Sequence, residues 1–270
     1  MNTPRSIVLR AAGTNCEFET KRALELSGSD CEIMHIAKLL QEPQRLDEVE
    51  LIVIAGGFSY GDDVAAGRVF GLELRRNLAD RLQAFVARGG LVLGICNGFQ
   101  VLVDTGLLGL GEHGEREFAL TGNASNHYEC RWVTLKSEAC ACPWLVADEI
   151  WPTPIAHAEG QLCIPDADAL ARLEARGQIA LRYVNQDGSS ADGAYPANPN
   201  GSVQDIAGLC DPTGRVLGLM PHPERNLTPW NHPRWNRLGE RSEGEGLAFY
   251  RRMVEVARNG ASNHATAAVS

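Results

Sequence analysis

The sequence predicts an α/β protein with a mostly parallel central sheet flanked by helices and an antiparallel C-terminal portion. Three observations predict it. Short apolar runs alternate with helix-patterned stretches through the first half of the chain. The runs LIVIA (51–55) and LVLGI (91–95) lack polar alternation, which suits parallel strands covered on both faces. Near the end, IAGLC, DPTG and RVLGLM read as two apolar strands joined by a Pro/Gly turn, an antiparallel hairpin.

Taken in order, residues 6–10 (SIVLR) form the first strand and residues 17–27 a helix closed by Gly28. Residues 31–36 and 51–55 supply the next two strands, and the glycine-rich GGFSYGDD (56–63) follows. The next helix carries Leu78, Leu82, Phe85 and Val86 on one face and stops at Gly89-Gly90. After strand 91–95, a helix beginning at Asn97 buries Phe99, Leu102 and Val103. Strands alternating with helices imply right-handed crossovers. From about Arg131 the strands take an antiparallel character, residues 111–125 read as a loop insertion, and residues 259–270 as a disordered tail. No repeat or linker divides residues 1–258, which are expected to form a single domain.

A formal net charge of -9 without a basic cluster argues against nucleic acid and anionic membranes as partners, because nothing offsets phosphate repulsion. The apolar runs are too short to span a bilayer, and the N-terminus lacks the pattern of a secretion signal. Eight cysteines without a disulfide framework point to reduced thiols and a cytoplasmic location.

Gly94-Ile-Cys96-Asn-Gly98 places a cysteine at a strand-to-helix junction, in the G-x-C-x-G form of a nucleophile elbow. The glycines leave room for a sharp turn, and the helix N-terminus favours thiolate. The Asn97 N–H then points to where an oxyanion would form. The other cysteines have no such setting. Cys16, Cys31, Cys130, Cys163 and Cys210 read as small buried hydrophobes. Cys140 and Cys142 lack a second pair at zinc-site spacing, so no metal site is expected.

A thiol nucleophile needs a base and an orienting group. Pro221-His222-Pro223-Glu224 supplies both: proline favours an extended preceding residue, and in extended chain residues i and i+2 project together. His222 is therefore expected to meet Glu224. His232, in a Pro-rich loop without a partner at i+2, reads as a surface residue, as do His35, His113, His127 and His264.

Together these residues resemble the class I (triad) glutamine amidotransferases and, within them, the glutaminase subunits of phosphoribosylformylglycinamidine synthase. The resembling segments are GTNCE (13–17), GGFSYGDD (56–63), GICNGFQ (94–100), AHAEG (156–160), YPANPNGS (195–202) and LGLMPHPER (217–225). The resemblance implies a flavodoxin-like fold and a triad of Cys96, His222 and Glu224 that hydrolyses glutamine to glutamate and ammonia. It implies an oxyanion hole from the Gly57 and Asn97 amides, and substrate contacts from Gln100 and from the loop holding Asn126 and Tyr128. Ala12 stands where relatives commonly have proline, and Ala158 where a second glycine is usual.

The chain carries no G-x-x-x-x-G-K-[ST] loop, and GGFSYGDD lacks its lysine. No cofactor is expected on this chain. The resemblance implies that ATP and Mg²⁺ bind a separate synthetase subunit, which uses the ammonia to convert formylglycinamide ribonucleotide to formylglycinamidine ribonucleotide in purine biosynthesis. It also implies a small accessory subunit. Three rival readings are weaker. The GGFSYGD and NPNGS segments argue against the glutaminase of a pyridoxal phosphate synthase. The presence of both cysteine and histidine argues against a non-catalytic binding subunit, and H-P-E is unexplained by an intracellular cysteine protease.

Overall fold

The computed structural model describes residues 3–109, 111 and 116–267, with backbone alone beyond residue 260. The strands β1 (Arg5–Arg10), β2 (Asp30–His35), β3 (Leu51–Ile54) and β4 (Leu91–Ile95) pair in parallel, in the spatial order β2-β1-β3-β4. Every residue of β3 and β4 is buried, as the unbroken apolar runs require. The helices α1 (Glu17–Leu26), α2 (Ile36–Gln41), α3 (Arg68–Ala87) and α4 (Asn97–Thr105) lie between or after these strands in the chain. Along α3, Phe70, Leu74, Leu78, Leu82 and Phe85 recur at helical spacing and are buried, while Val86 is only half-buried. Gly71 permits a close crossing of α3 and α4, since a Cβ there would stand 2.5 Å from the Asp104 Cβ.

The second half is antiparallel. Strands β6 (Glu129–Ser137), β7 (Ile150–His157), β9 (Ile179–Val184), β10 (Ile206–Cys210) and β11 (Val216–Leu219) complete a nine-stranded sheet in the order β2-β1-β3-β4-β11-β10-β9-β6-β7. The predicted hairpin is β10–β11, with Leu209 opposite Gly218. Among the described residues, strand β11 joins the halves: it is antiparallel to β10 and parallel to β4, with Leu219 opposite Ile95. Two chain segments far apart in sequence therefore leave the sheet at one point.

The segment expected as a loop insertion contains a strand. Within residues 111–125, β5 (Ala119–Gly122) pairs antiparallel with β8 (Glu159–Cys163), while residues 112–115 lie outside the described residues. This stretch is tied down by the buried Glu117 carboxylate, which accepts from Arg172 Nε (2.6 Å) and Arg176 Nη1 (2.9 Å) at helix α5 (Ala167–Ala175) and its C-cap. Helix α6 runs Glu245–Ala267 and so enters the segment from residue 259 that is expected as a tail. Residues 268–270 lie outside the described residues.

Candidate active site

At the end of β4 the chain turns sharply into α4, and Cys96 occupies the turn with φ 52° and ψ -108°. Such a conformation costs about 1–3 kcal/mol for a non-glycine residue and persists only where the surroundings enforce it. Here the Cys96 N–H donates to the Leu219 carbonyl at 2.8 Å, anchoring the elbow to β11. A Cβ on Gly98 would stand 2.0 Å from the Ile54 carbonyl, and one on Gly94 2.5 Å from the Gly98 carbonyl. Both flanking glycines are thus required by backbone contact. Phe99 locks α4 over β11, since a Cβ on Gly218 would lie 2.1 Å from its ring. The Cys96 thiol is buried and makes one long contact, 3.7 Å, to the Ala156 carbonyl.

Asn97 is the first residue of α4, so its N–H has no partner within the helix. Its side chain braces the glycine-rich loop, accepting from the Ser59 N–H (3.2 Å) and donating to Asp62 Oδ1 (3.2 Å). Gly57 sits opposite Thr14 in an isolated antiparallel bridge. That bridge is closed by Asn15 N–H to the Gly56 carbonyl (3.3 Å) and Phe58 N–H to the Gly13 carbonyl (3.0 Å). Thr14 and Gly57 are therefore its non-hydrogen-bonded pair, and the bridge leaves the Gly57 N–H unspent. With φ 141°, and with an added Cβ only 2.6 Å from the Asn15 nitrogen, position 57 admits glycine alone.

His222 and Glu224 follow β11. His222 Nδ1 lies 2.6 Å from Glu224 Oε1, and both side chains are buried. The backbone route differs from the predicted extended one. His222 has φ -111° and ψ 84° and leads into a single 3-10 turn, Pro223–Arg225, because proline restricts the residue before it but fits the first position of a helical turn. Burial alone would lower the His222 pKa. The Glu224 carboxylate and the thiols of Cys96 and Cys16 outweigh it and hold the imidazole well above its ordinary value. His222 Nε2 and Glu224 Oε2 are buried without a hydrogen-bond partner.

Three sequence-predicted residues, Cys96, His222 and Glu224, thus meet in one buried cluster. Gln100 lies beside it and ties the scaffold: its carbonyl accepts from Asn97 Nδ2 (3.0 Å) and its amide donates to the Glu159 carbonyl (2.5 Å). Tyr128 is half exposed and stacks on Phe58, with ring centroids 6.5 Å apart. Burial raises its pKa, and the Cys96 sulfur adds to that. Asn126 is exposed in a left-handed turn (φ 56°) two residues earlier.

Several residues depart from their predicted settings. Cys130 is exposed and Cys163 half-buried, whereas Cys31 and Cys210 are buried as expected. Cys16 is buried but polar in its contacts, accepting from Arg225 Nη2 at 3.2 Å. His232 is buried, packed edge-on against Trp132 at 4.8 Å. His127 is exposed and His35 caps α2 through Nδ1, while His113 and the His264 side chain lie outside the described residues. His157, within AHAEG, is a buried histidine that the elbow and H-P-E motifs do not single out. The buried pattern of β7 places it inward with Trp151, Thr153 and Ile155, an alternation visible in the sequence. Burial and then the His222 charge push its pKa down to about 3, and its Nδ1 meets Asn123 Oδ1 at 3.0 Å.

Cys16, Glu19, His222 and Glu224 bring potential metal-ligand atoms within 4.8 Å of one another. The Arg225 guanidinium already sits on two of them, donating Nε to Glu19 Oε1 (2.7 Å) and Nη2 to the Cys16 sulfur. A cavity of about 660 Å³ lined by Trp230, Trp235 and Arg241 belongs to the loop after the cluster and includes none of its residues.

The chain matches the model of the CobB/CobQ-like glutamine amidotransferase domain over residues 3–256. It is 42% identical over 245 residues to phosphoribosylformylglycinamidine synthase subunit PurQ of Methanococcus maripaludis, with 90% of each chain covered. Against the PurQ subunit of Treponema denticola it is 44% identical over 240 residues, covering 83% of this chain and 88% of that one. Among solved structures, a chain of PurLQS from Thermotoga maritima superposes with a TM-score of 0.70 at 30% identity, covering 94% of this chain and 99% of that one.

Proposed function

The chain belongs to the CobB/CobQ-like glutamine amidotransferase family and, within it, to the PurQ subunits of phosphoribosylformylglycinamidine synthase, and on that premise we propose that Cys96, His222 and Glu224 form its catalytic triad. The protein is the glutaminase subunit of this purine-biosynthetic enzyme, hydrolysing glutamine and passing ammonia to a synthetase subunit. The observation that carries the triad is the buried 2.6 Å His222–Glu224 contact beside a strained cysteine elbow. A carboxylate so placed fixes the imidazole with Nδ1–H toward Glu224 and leaves Nε2 for the thiol.

In the proposed cycle, the Cys96 proton passes to His222 Nε2 and the thiolate adds to the side-chain carbonyl carbon of glutamine. The Gly57 and Asn97 amides donate to the resulting oxyanion. His222 then gives its proton to the leaving nitrogen, the C–N bond breaks, and ammonia departs from a γ-glutamyl thioester. Water, deprotonated by His222, attacks the thioester; the C–S bond breaks, glutamate leaves, and the proton returns to the sulfur. Tyr128 and Asn126 border the entry and contact substrate, while Gln100 acts through its hold on Asn97.

ATP and Mg²⁺ belong to the synthetase partner, and a small accessory subunit completes the assembly. No described helix is long and apolar enough to cross a membrane. Eight free cysteines suit a reducing compartment, and the cytoplasm is the one we assign. The test is glutamine hydrolysis by wild type and Cys96→Ala, each with and without the synthetase. The expected result is activity only with Cys96 present, raised by the partner. Hydrolysis by Cys96→Ala at the wild-type rate sinks the triad.

A further inference from the structure

Beside the triad lies a second buried thiol that the reaction does not consume. Cys16 stands at the N-cap of α1, 1% exposed, and its contacts run in three directions. Its N–H donates to the Gly56 carbonyl (3.2 Å), as does that of Asn15 (3.3 Å). Its S–H points to Asn15 Oδ1 (3.2 Å), and its sulfur accepts from Arg225 Nη2 (3.2 Å), whose Nε is held by Glu19 (2.7 Å). The third direction is the imidazole. A Cβ on Gly56 would stand 3.0 Å from His222 Cε1 and 3.2 Å from the Cys16 sulfur, so turn, ring and thiol meet without spare room.

We propose that Cys16 is a positioning residue that holds the His222 ring against the Gly56-Gly57 turn and so couples the base to the oxyanion loop. The inference rests on the triad reading above. Sulfur suits the place because a neutral, polarisable thiol can sit between the Arg225 guanidinium and a protonated imidazole without adding charge. Burial pushes the Cys16 thiol up, which keeps it neutral. Alanine would remove the ring's support and open a void beside it.

The titratable and charged groups around the triad come from every neighbouring element. They are Cys96 at the elbow, Glu224 and Arg225 after β11, Cys16 and Glu19 at α1, His157 on β7, Tyr128 before β6 and Tyr250 on α6. Of these, Glu224, Cys96 and Cys16 raise the His222 pKa. Removing Cys16 therefore lowers it, and the alkaline limb of glutaminase activity moves to lower pH.

The experiment compares wild type, Cys16→Ala, Cys16→Ser and Cys96→Ala in complex with the synthetase subunit, recording kcat, KM, the pH profile and Tm. Cys16→Ala is expected to lower kcat about tenfold at unchanged KM, in the range that small misplacements of reacting groups produce. Its alkaline limb is expected to shift down by about half a pH unit. Cys16→Ser restores part of both, since a hydroxyl keeps a polar contact. Wild-type kcat with unmoved limbs in Cys16→Ala overturns the inference, and so does a loss of kcat that accompanies a lower Tm without displacing the limbs. If the alanine variant does not fold, the serine variant decides: a displaced limb supports the role and an unmoved one overturns it. An active Cys96→Ala defeats the underlying triad instead, so the two failures are separable.

Discussion

The His222 Nδ1 atom stands 2.6 Å from Glu224 Oε1, in a site where neither side chain reaches solvent. The pair makes His222 a proton-binding site of the folded chain, and the sign of its pH effect follows. Its folded pKa lies above the ordinary 6.5, so its stabilisation is fully present below that value and is lost as pH rises through the raised folded pKa. Urea titrations of wild type are expected to show stability falling across this window, and those of Glu224→Gln to show a flatter profile. The same substitution is expected to lower kcat by roughly a thousandfold or more, through loss of imidazole orientation. An identical pH slope in both proteins would falsify the assignment.

Cys96→Ala is expected to reduce glutamine-dependent synthesis by roughly four orders of magnitude. Free ammonia, supplied at high concentration, is expected to sustain synthesis by the assembled complex, because the synthetase chemistry lies on the other chain. Assaying both nitrogen sources side by side checks this. Equal loss with glutamine and ammonia points to a disrupted assembly.

Gly57→Ala tests the oxyanion loop. A methyl at that position meets the Asn15 nitrogen at 2.6 Å, so the turn must move and carry its amide with it. The expected outcome is a fall in kcat of about a hundredfold with little change in KM, the signature of a lost transition-state donor. Steady-state kinetics at saturating glutamine reads it directly.

Tyr128→Ala tests the proposed substrate contact without touching the core, since the ring is half exposed and packs on Phe58. We expect KM for glutamine to rise about threefold to tenfold while kcat stays near wild type, as for a contact made equally in ground and transition states. Thermal unfolding should be almost unchanged. A fall in kcat at constant KM removes Tyr128 from substrate binding.

Much of the fold was legible because its parallel half is written in runs such as LIVIA, whose lack of alternation reports burial on both faces. The elbow was legible for a local reason, two glycines around one cysteine. Strand β5 was not: its residues are exposed or half-buried, and it exists only through its pairing with β8. The burial of His232 depends on Trp132, a neighbour only after folding. The burial of Cys16 was legible but its polar contact was not, since its partner Arg225 arrives from the far end of the sequence. His222 reached Glu224 by a tight turn that Pro223 accommodates as well as it would an extended chain.

The ladder between β4 and β11 sets Ile95 beside Leu219, each one step from the residues that lead into the cluster. One rung of backbone pairing is therefore the gauge that spaces nucleophile from base. Residues 106–205 take no part in that ladder, but β7 within them also holds the base, since the His222 N–H donates to the Pro154 carbonyl at 2.8 Å. Exposed side chains of that half, such as Val146 and Ile150, can change without moving either contact. A one-residue deletion inside β11, by contrast, would turn the base to the wrong face of the sheet.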